Sequence, residues 1–380
     1  MMKIGIEGQR LFRRKKHGMD MVALELIRNL QIIDSVNEYF IFVKPDEDTE
    51  CLKETSNFHI IPVEGKSYPL WEQISLPKAA KKYGCNLLHC TSNTAPLQLD
   101  IPLIVTLHDI IYMEKSYWQL LNGNGTAYQK FGNAYRRYVV PRILKKSAKT
   151  ITVSEYEQQR IESFFGLKHD KLIAIYNGVG EHFVRISDQE TLTNIKNKYQ
   201  LPDKYFFFLG NTDPKKNTPG VLQAFSSFKS KDTNNYKLVM LDYDESELQK
   251  LLNQIGATEL RKEIHLTGYV VNTDLPAIYS LADIFLYPSL RESFGIPMLE
   301  GMKCGVPVIT SNTSSMPEIA DDAAYIIDPY KPHEITHAIE KILNDSVLRD
   351  NLIQKGFERS KSFSWNQMAF NVLKLYNSIH

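Results

Sequence analysis

Cysteine is scarce: Cys51, Cys85, Cys90 and Cys304 are the only four in 380 residues. No two form a C-x-x-C pair and no histidine cluster accompanies them, which argues against a zinc site and a disulfide framework. A reducing cytoplasm is the simplest expectation. Excess charge is missing too. The net charge is +1, so no overall field favours a polyanion, and no nucleic-acid partner is expected. No apolar run approaches the ~20 residues of a membrane helix. No secretory leader is read, because Lys3-Ile4-Gly5-Ile6 already looks like a strand. The first turn, "IGIEGQRLF", holds Gly5 and Gly8 but no G-x-G-x-x-G, so a nicotinamide-dependent dehydrogenase is not expected.

What is present is a rhythm. Apolar content is 43% and charged content 23%, ordinary for a globular enzyme. Short β-branched runs such as "KIGIEG" (3–8), "YFIFV" (39–43), "NLLHC" (86–90) and "LIVTLHD" (103–109) are too apolar for a half-exposed sheet. Buried strands of a parallel sheet look this way. Helical patterns lie between them, at 19–33 and at 135–148, where Pro141 is expected to kink or start the helix. The second half repeats the pattern with "YFFFLG" (205–210), "YKLVMLD" (236–242), "IHLTG" (264–268), "IFLYPS" (284–289), "PVITS" (307–311) and "AYIIDP" (324–329). Two such series predict an α/β protein of two doubly wound domains, 1–182 and 183–362. The polar stretch 180–202 reads as their linker. Residues 363–380 end in an amphipathic helix striped by Met368, Phe370, Val372, Leu373, Leu375 and Tyr376. That stripe must dock somewhere.

"RESFGIPMLEG" (291–301) places Glu292 and Glu300 eight positions apart around a glycine. Pro297 suits a first helical turn, so a helix is predicted from Gly295–Ile296 with Glu300 one turn inside. The amides of 293–296 and the helix dipole would form an anion cradle there. Carboxylates repel phosphate, so Glu300 would take ribose hydroxyls and Glu292 the hydroxyls of a second group. On spacing alone the pair could equally be a dipole-stabilising acid and an exposed loop acid. "GNTDPKKN" (210–217) follows a strand and presents Lys215 and Lys216, which could neutralise a diphosphate or simply be solvated. Gly18, after the run "RRKK", either lets an amide approach a phosphate or is an ordinary loop glycine. His108, at a strand's C-terminal end, is a cleft residue or a satisfied core histidine. "RRKK" (13–16) and the basic stretch 135–146 are solvated faces or a surface drawn to an anionic membrane.

Together these segments resemble a known family. "ESFGIPMLEGMKCGVPVITSNTSSMPEIADDAAYIIDP" (292–329) looks like the E-x7-E region of retaining GT-B glycosyltransferases of family four, and "GNTDPKKN" resembles their G-x-x-x-P-R-K-N segment. "VTLHDIIY" (105–112), "ITVSEYEQQRI" (151–161), "IYNGV" (175–179), "LTGYV" (266–270) and "YSLADIFLYPSLRESFG" (279–295) match in order, so the resemblance runs from about Gly18 to Pro329. It implies two Rossmann-like domains facing across a cleft, with the last helix crossing back to the acceptor-binding N-terminal domain. It also implies roles. Glu300 would bind the donor ribose and Glu292 the transferred sugar. Lys215, Lys216 and the amides of Ser293, Phe294 and Gly295 would hold the diphosphate, with Gly18 approaching it. Tyr269 and Val270 would flank the base. His108 and Asp109 would line the cleft beside sugar and acceptor. Two departures stand out: Lys215 replaces the family's arginine, and the loop "HGMDM" differs from the glycine pair or G-I-G-R-Y-like segment of many relatives.

The expectation is a cytoplasmic, retaining, metal-independent glycosyltransferase without cofactor, peripheral to the membrane if the basic stretches bind one. Its partners would be a nucleoside-diphosphate sugar and a saccharide or lipid-linked saccharide acceptor. "SSMPE" leans toward mannosyltransferases of polysaccharide or lipopolysaccharide synthesis, hence GDP-mannose. The rivals are a phosphorylase on the same fold and a non-catalytic nucleotide-sugar-binding subunit.

Overall fold

The computed structural model describes residues 1–114 and 126–379. Contacts divide the chain into two units, Met1–Gly178 with Trp365–His380, and Val179–Ser364.

The first unit holds a seven-stranded sheet: β1 (Lys3–Gly8), β2 (Glu38–Val43), β3 (Phe58–Pro62), β4 (Leu87–Cys90), β5 (Leu103–Thr106), β6 (Lys149–Thr152) and β7 (Leu172–Ala174). Its order is β3-β2-β1-β4-β5-β6-β7, with every pairing parallel. Ile6 lies between Ile41 and His89 in register. Strand order reverses between β1 and β4, and open α/β sheets bind ligands beyond the strand ends at such a point. Helices α1 (Gly18–Ile33), α2 (Ala127–Lys146) and α3 (Glu155–Phe165) are among those connecting the strands. Pro141 does not start α2. The helix begins upstream at a capping box, where Thr126 and Gln129 each accept the other's amide hydrogen, and it runs through the proline.

The C-terminal helix (Trp365–Asn377) belongs to this unit and packs against α1. Trp365, Met368, Ala369, Val372, Leu375 and Tyr376 form its buried stripe. Phe370, expected in that stripe, is instead 44% exposed, because it lies off the 3.6-residue period of the others.

The second unit repeats the topology with six parallel strands: β8 (Tyr205–Phe208), β9 (Lys237–Met240), β10 (Ile264–Leu266), β11 (Ile284–Tyr287), β12 (Val308–Ser311) and β13 (Tyr325–Ile327). The order is β10-β9-β8-β11-β12-β13, reversing between β8 and β11. "YFFF" shows why such strands are apolar throughout. Phe206 and Phe208 join one core, while Phe207 faces Tyr279 and Phe285. Each buried phenyl contributes about 1.5–3 kcal/mol. The connections include α4 (Thr218–Lys229), α5 (Ile296–Lys303) and α6 (Pro332–Asn344). The expected linker 180–202 is in part a helix, Gln189–Tyr199, capped by Asp188, which accepts from the Thr191 amide at 2.8 Å. Most of that helix is exposed, so its polar residues masked it.

Candidate active site

In the second unit the lysine turn is built at the end of β8. Asp213 caps a 3-10 turn, Pro214–Lys216, accepting from the Lys215 amide at 3.1 Å. Asn217 then takes a left-handed conformation, φ 58°, and its side-chain Nδ2 donates to the carbonyls of Pro288 (3.2 Å) and Pro329 (2.7 Å). Gly220 makes room for it: a Cβ there would lie 2.5 Å from Asn217 Oδ1. The Leu290 amide donates to the Lys215 carbonyl at 2.7 Å. The turn is thereby pinned to the loop after β11, across the sheet's reversal point. Asn217 has no role in the sequence reading. Its signal was only its place at the end of "DPKKN".

That loop carries Glu292, and its backbone is clamped by hydroxyls. Ser314 Oγ accepts from the Glu292 amide and Ser315 Oγ donates to the Glu292 carbonyl, both at 3.0 Å. Ser311 and Thr313 donate to the Ser289 carbonyl at 2.6 and 3.2 Å. The hydroxyl-rich "TSNTSS" at the end of β12 therefore holds the loop after β11 in place. The result is a direct ion pair: Lys216 Nζ donates to Glu292 Oε1 at 2.5 Å. The same ammonium lies 3.3 Å from the Tyr287 hydroxyl and 4.9 Å from its ring centre. The two side chains are only 15% and 12% exposed, so solvent screens the pair weakly. Lys215 is more open, 3.9 Å from Asp213.

Gly295 precedes α5 at φ 95°, and a Cβ on it would meet Met316 Cε at 2.5 Å. Conformation and space both demand glycine. Pro297 occupies the first turn, as the sequence predicts. Ser293 and Phe294 lead into that turn, with the Phe294 ring packed on Phe363. Glu300 Oε2 accepts from the Tyr279 hydroxyl at 3.1 Å. Burial pushes its carboxyl up to about 7, against the opposing pull of that hydrogen bond. Lys216, Glu292 and Glu300 thus belong to one end of one sheet. Tyr269, 70% exposed, follows β10, whereas Val270 is buried.

A D-x-D spacing occurs at a strand end, in Asp242-Tyr243-Asp244 after β9. Here Asp244 caps the next helix, accepting from the Glu247 amide at 3.0 Å and the Ser246 hydroxyl at 2.6 Å, and Asp242 is left-handed at φ 43°. Among the described residues no three His, Cys, Asp or Glu side chains group as metal ligands.

In the first unit His108 lies just past β5. Its amide donates to Asn93 Oδ1 at 2.6 Å, and Asn93 is itself left-handed at φ 70°. His108 Nε2 is 3.0 Å from the Thr91 carbonyl. A carbonyl only accepts, so Nε2 carries the proton and Nδ1 keeps a lone pair. Burial holds the ring's pKa below its usual value. Asp109 accepts from the Ile111 amide at 3.1 Å. Gly18 opens α1 with no atom within 4 Å of a Cβ, so packing does not require glycine there.

This unit also holds buried polar groups that the sequence reading passed over. Glu7, in the apolar strand β1, accepts from the Gln9 amide and the Thr91 hydroxyl. Glu72 accepts from the hydroxyls of Tyr68, Thr94 and Tyr135 and from Gln73, and burial raises its pKa. A carboxylate inside "KIGIEG" or "LWEQI" was the available signal.

Two family models match the chain, "Glycosyltransferase Family 4" over residues 18–182 and "Glycosyl transferases group 1" over residues 191–359. The chain is a glycosyltransferase, with a family 4 domain followed by a group 1 domain. This glycosyltransferase is 27% identical over 375 residues to the O-antigen chain mannosyltransferase B of Escherichia coli, covering 94% of this chain and 95% of the relative. A 30% identity over 220 residues links it to the serotype-specific mannosyltransferase WbdA of Escherichia coli, covering 57% of this chain but only 27% of that longer relative. Among solved structures, Anabaena HepE in complex with UDP and glucose superposes with a TM-score of 0.73 at 15% identity, each chain covered fully. That likeness establishes the GT-B fold.

Proposed function

We propose that this glycosyltransferase takes a nucleoside-diphosphate sugar, GDP-mannose foremost, and transfers the sugar with retention to a saccharide or lipid-linked saccharide. The observation that carries the reading is the Lys216–Glu292 pair where strand order reverses in the second unit, with Glu300 in the helix that follows. Lys216, Lys215 and the start of α5 would hold the diphosphate and stabilise it as it leaves. Glu300 would hold the ribose, Glu292 the sugar, and Tyr269 and Val270 the base. The first unit would supply Gly18, His108 and Asp109 and bind the acceptor. The acceptor hydroxyl would attack from the side the diphosphate leaves, passing its proton to the departing phosphate. The mannose assignment rests on the names of the two Escherichia coli relatives.

Membrane contact is part of the same reading. Helix α2 carries Lys130, Arg136, Arg137, Arg142, Lys145 and Lys146 and no acidic residue. Phe131 and Tyr138 stand 60% and 55% exposed on it. Exposed aromatic rings on a helix whose charged side chains are all basic suit an anionic bilayer carrying the acceptor. No described helix is long and apolar enough to cross a membrane.

The test is transfer by purified protein from a panel of nucleoside-diphosphate hexoses to mannose-terminated oligosaccharides, with the anomeric configuration of the product read by NMR. Transfer from GDP-mannose giving an α-linkage is expected. Efficient transfer from another donor with none from GDP-mannose would overturn the donor assignment. Phosphorolysis of a glycoside without nucleotide would overturn the reaction.

A further inference from the structure

The ion pair between Lys216 and Glu292 has a consequence for which ligand the site prefers. Both backbones are fixed, the lysine turn by Asn217 and the Leu290 amide, the glutamate by Ser314 and Ser315. The side chains meet at 2.5 Å with most of their surface covered. A diphosphate reaching Lys216 therefore finds an ammonium that is already neutralised, with a carboxylate beside it that repels the incoming anion. A complete donor differs in one respect. Its sugar brings hydroxyls that can donate to Glu292 and draw the carboxylate away from Lys216, freeing the ammonium for the phosphates. Tyr287, whose hydroxyl lies 3.3 Å from Lys216 Nζ, can hold the ammonium in place during that exchange.

We infer that Glu292 is an internal counter-ion of Lys216 that the donor's sugar displaces, so that the site selects the intact nucleoside-diphosphate sugar over the spent nucleoside diphosphate. After transfer the sugar has gone, Glu292 returns to Lys216, and the product nucleotide loses its cationic partner. This rests on the reading that the second unit takes a nucleoside-diphosphate sugar. No bond is made or broken in the exchange; one ion pair is traded for two sets of hydrogen bonds.

Calorimetry with GDP, UDP, GDP-mannose and UDP-glucose on the full chain tests it. For the wild type, the cognate sugar nucleotide binds more tightly than its own diphosphate. Glu292→Gln tightens the diphosphate by roughly tenfold, the size of one like-charge interaction removed beside a partly buried anion. The same change leaves the sugar nucleotide no tighter, so the preference collapses. A melting curve establishes that the variant is folded. A folded Glu292→Gln that binds the diphosphate no better than the wild type overturns the inference. Should the variant fail to fold, the wild-type comparison decides alone: a diphosphate that binds more tightly than its sugar nucleotide overturns it. A wild type that binds none of the four ligands defeats the donor reading itself, and the inference with it.

Discussion

His89 Nδ1 and the Tyr376 hydroxyl lie 2.6 Å apart although 287 positions separate the two residues. The other ring nitrogen of His89 is 2.8 Å from Thr106 Oγ1, so the imidazole is satisfied on both sides inside the sheet. The contact ties the end of the chain to β4. Tyr376→Phe removes one partner and leaves a buried ring nitrogen without one. We expect a loss of about 1–3 kcal/mol, read by chemical denaturation with an unchanged m-value.

The same histidine makes the first unit sensitive to acid. Burial pushes His89 down to about 3, whereas an unfolded histidine titrates near 6.5. Between those values the unfolded chain binds a proton that the folded chain refuses. Stability therefore falls as pH drops from about 6.5 toward 3 and is unaffected by this group above that window. His89→Gln should flatten that part of the curve of midpoint against pH, and an equal slope in both proteins would rule out His89 as its source.

Glu300 behaves in the opposite sense. Its folded carboxyl, pushed up to about 7, stays protonated where the unfolded one is ionised, so its contribution to stability is complete below about 4.5 and lost as pH rises toward 7. Glu300→Gln should therefore raise the melting temperature at pH 8 and not at pH 4. It should also weaken the cognate nucleoside diphosphate by about 1.5–3 kcal/mol, the worth of a charged hydrogen-bonding partner. Gain of stability with unchanged nucleotide affinity would mean that Glu300 does not touch the ribose.

Lys216→Ala should lower the maximal rate of transfer by roughly 10²–10³, since leaving-group charge grows toward the transition state. Donor affinity should fall much less, because in the free protein the lysine is already engaged by Glu292. Steady-state rates and donor titrations on one preparation separate the two effects. A variant that binds donor poorly yet turns over at the wild-type rate would make Lys216 a binding residue only.

The basic aromatic face of α2 should bring the protein to vesicles containing phosphatidylglycerol and not to neutral ones. Replacing Phe131 and Tyr138 by serine should cut flotation with the anionic vesicles several-fold, as should raising the salt. Transfer to a soluble oligosaccharide should be unaffected. Equal flotation of wild type and variant would remove α2 as the contact surface.

Much of this architecture is legible in the residues. Runs such as "YFFF" and "LIVT" are apolar on both faces, which only a covered parallel sheet accommodates, so the α/β class follows from burial alone. The helix after Gly295 is equally local: a left-handed glycine and a proline in the first turn define its start. The helix Gln189–Tyr199 was hidden because its exposed face reads as loop, and Phe370 was misplaced because an apolar side chain carries no sign of which face it occupies.

Composition and periodicity determined which segments become strands and helices, and the spacing of Glu292, Gly295 and Glu300 determined that two carboxylates bracket a helix start. Only the tertiary structure decided who meets whom. Strand periodicity says which face is buried but not which strand lies alongside, so the reversals between β1 and β4 and between β8 and β11 belong to the folded sheet. Lys216 and Glu292 stand 76 residues apart, and their pairing needs the Asn217 bonds to two distant carbonyls and the serine clamp after β12. A charge in a sequence has no partner until the chain closes around it. That closure turns a lysine and a glutamate with separate expected roles into one partly buried ion pair.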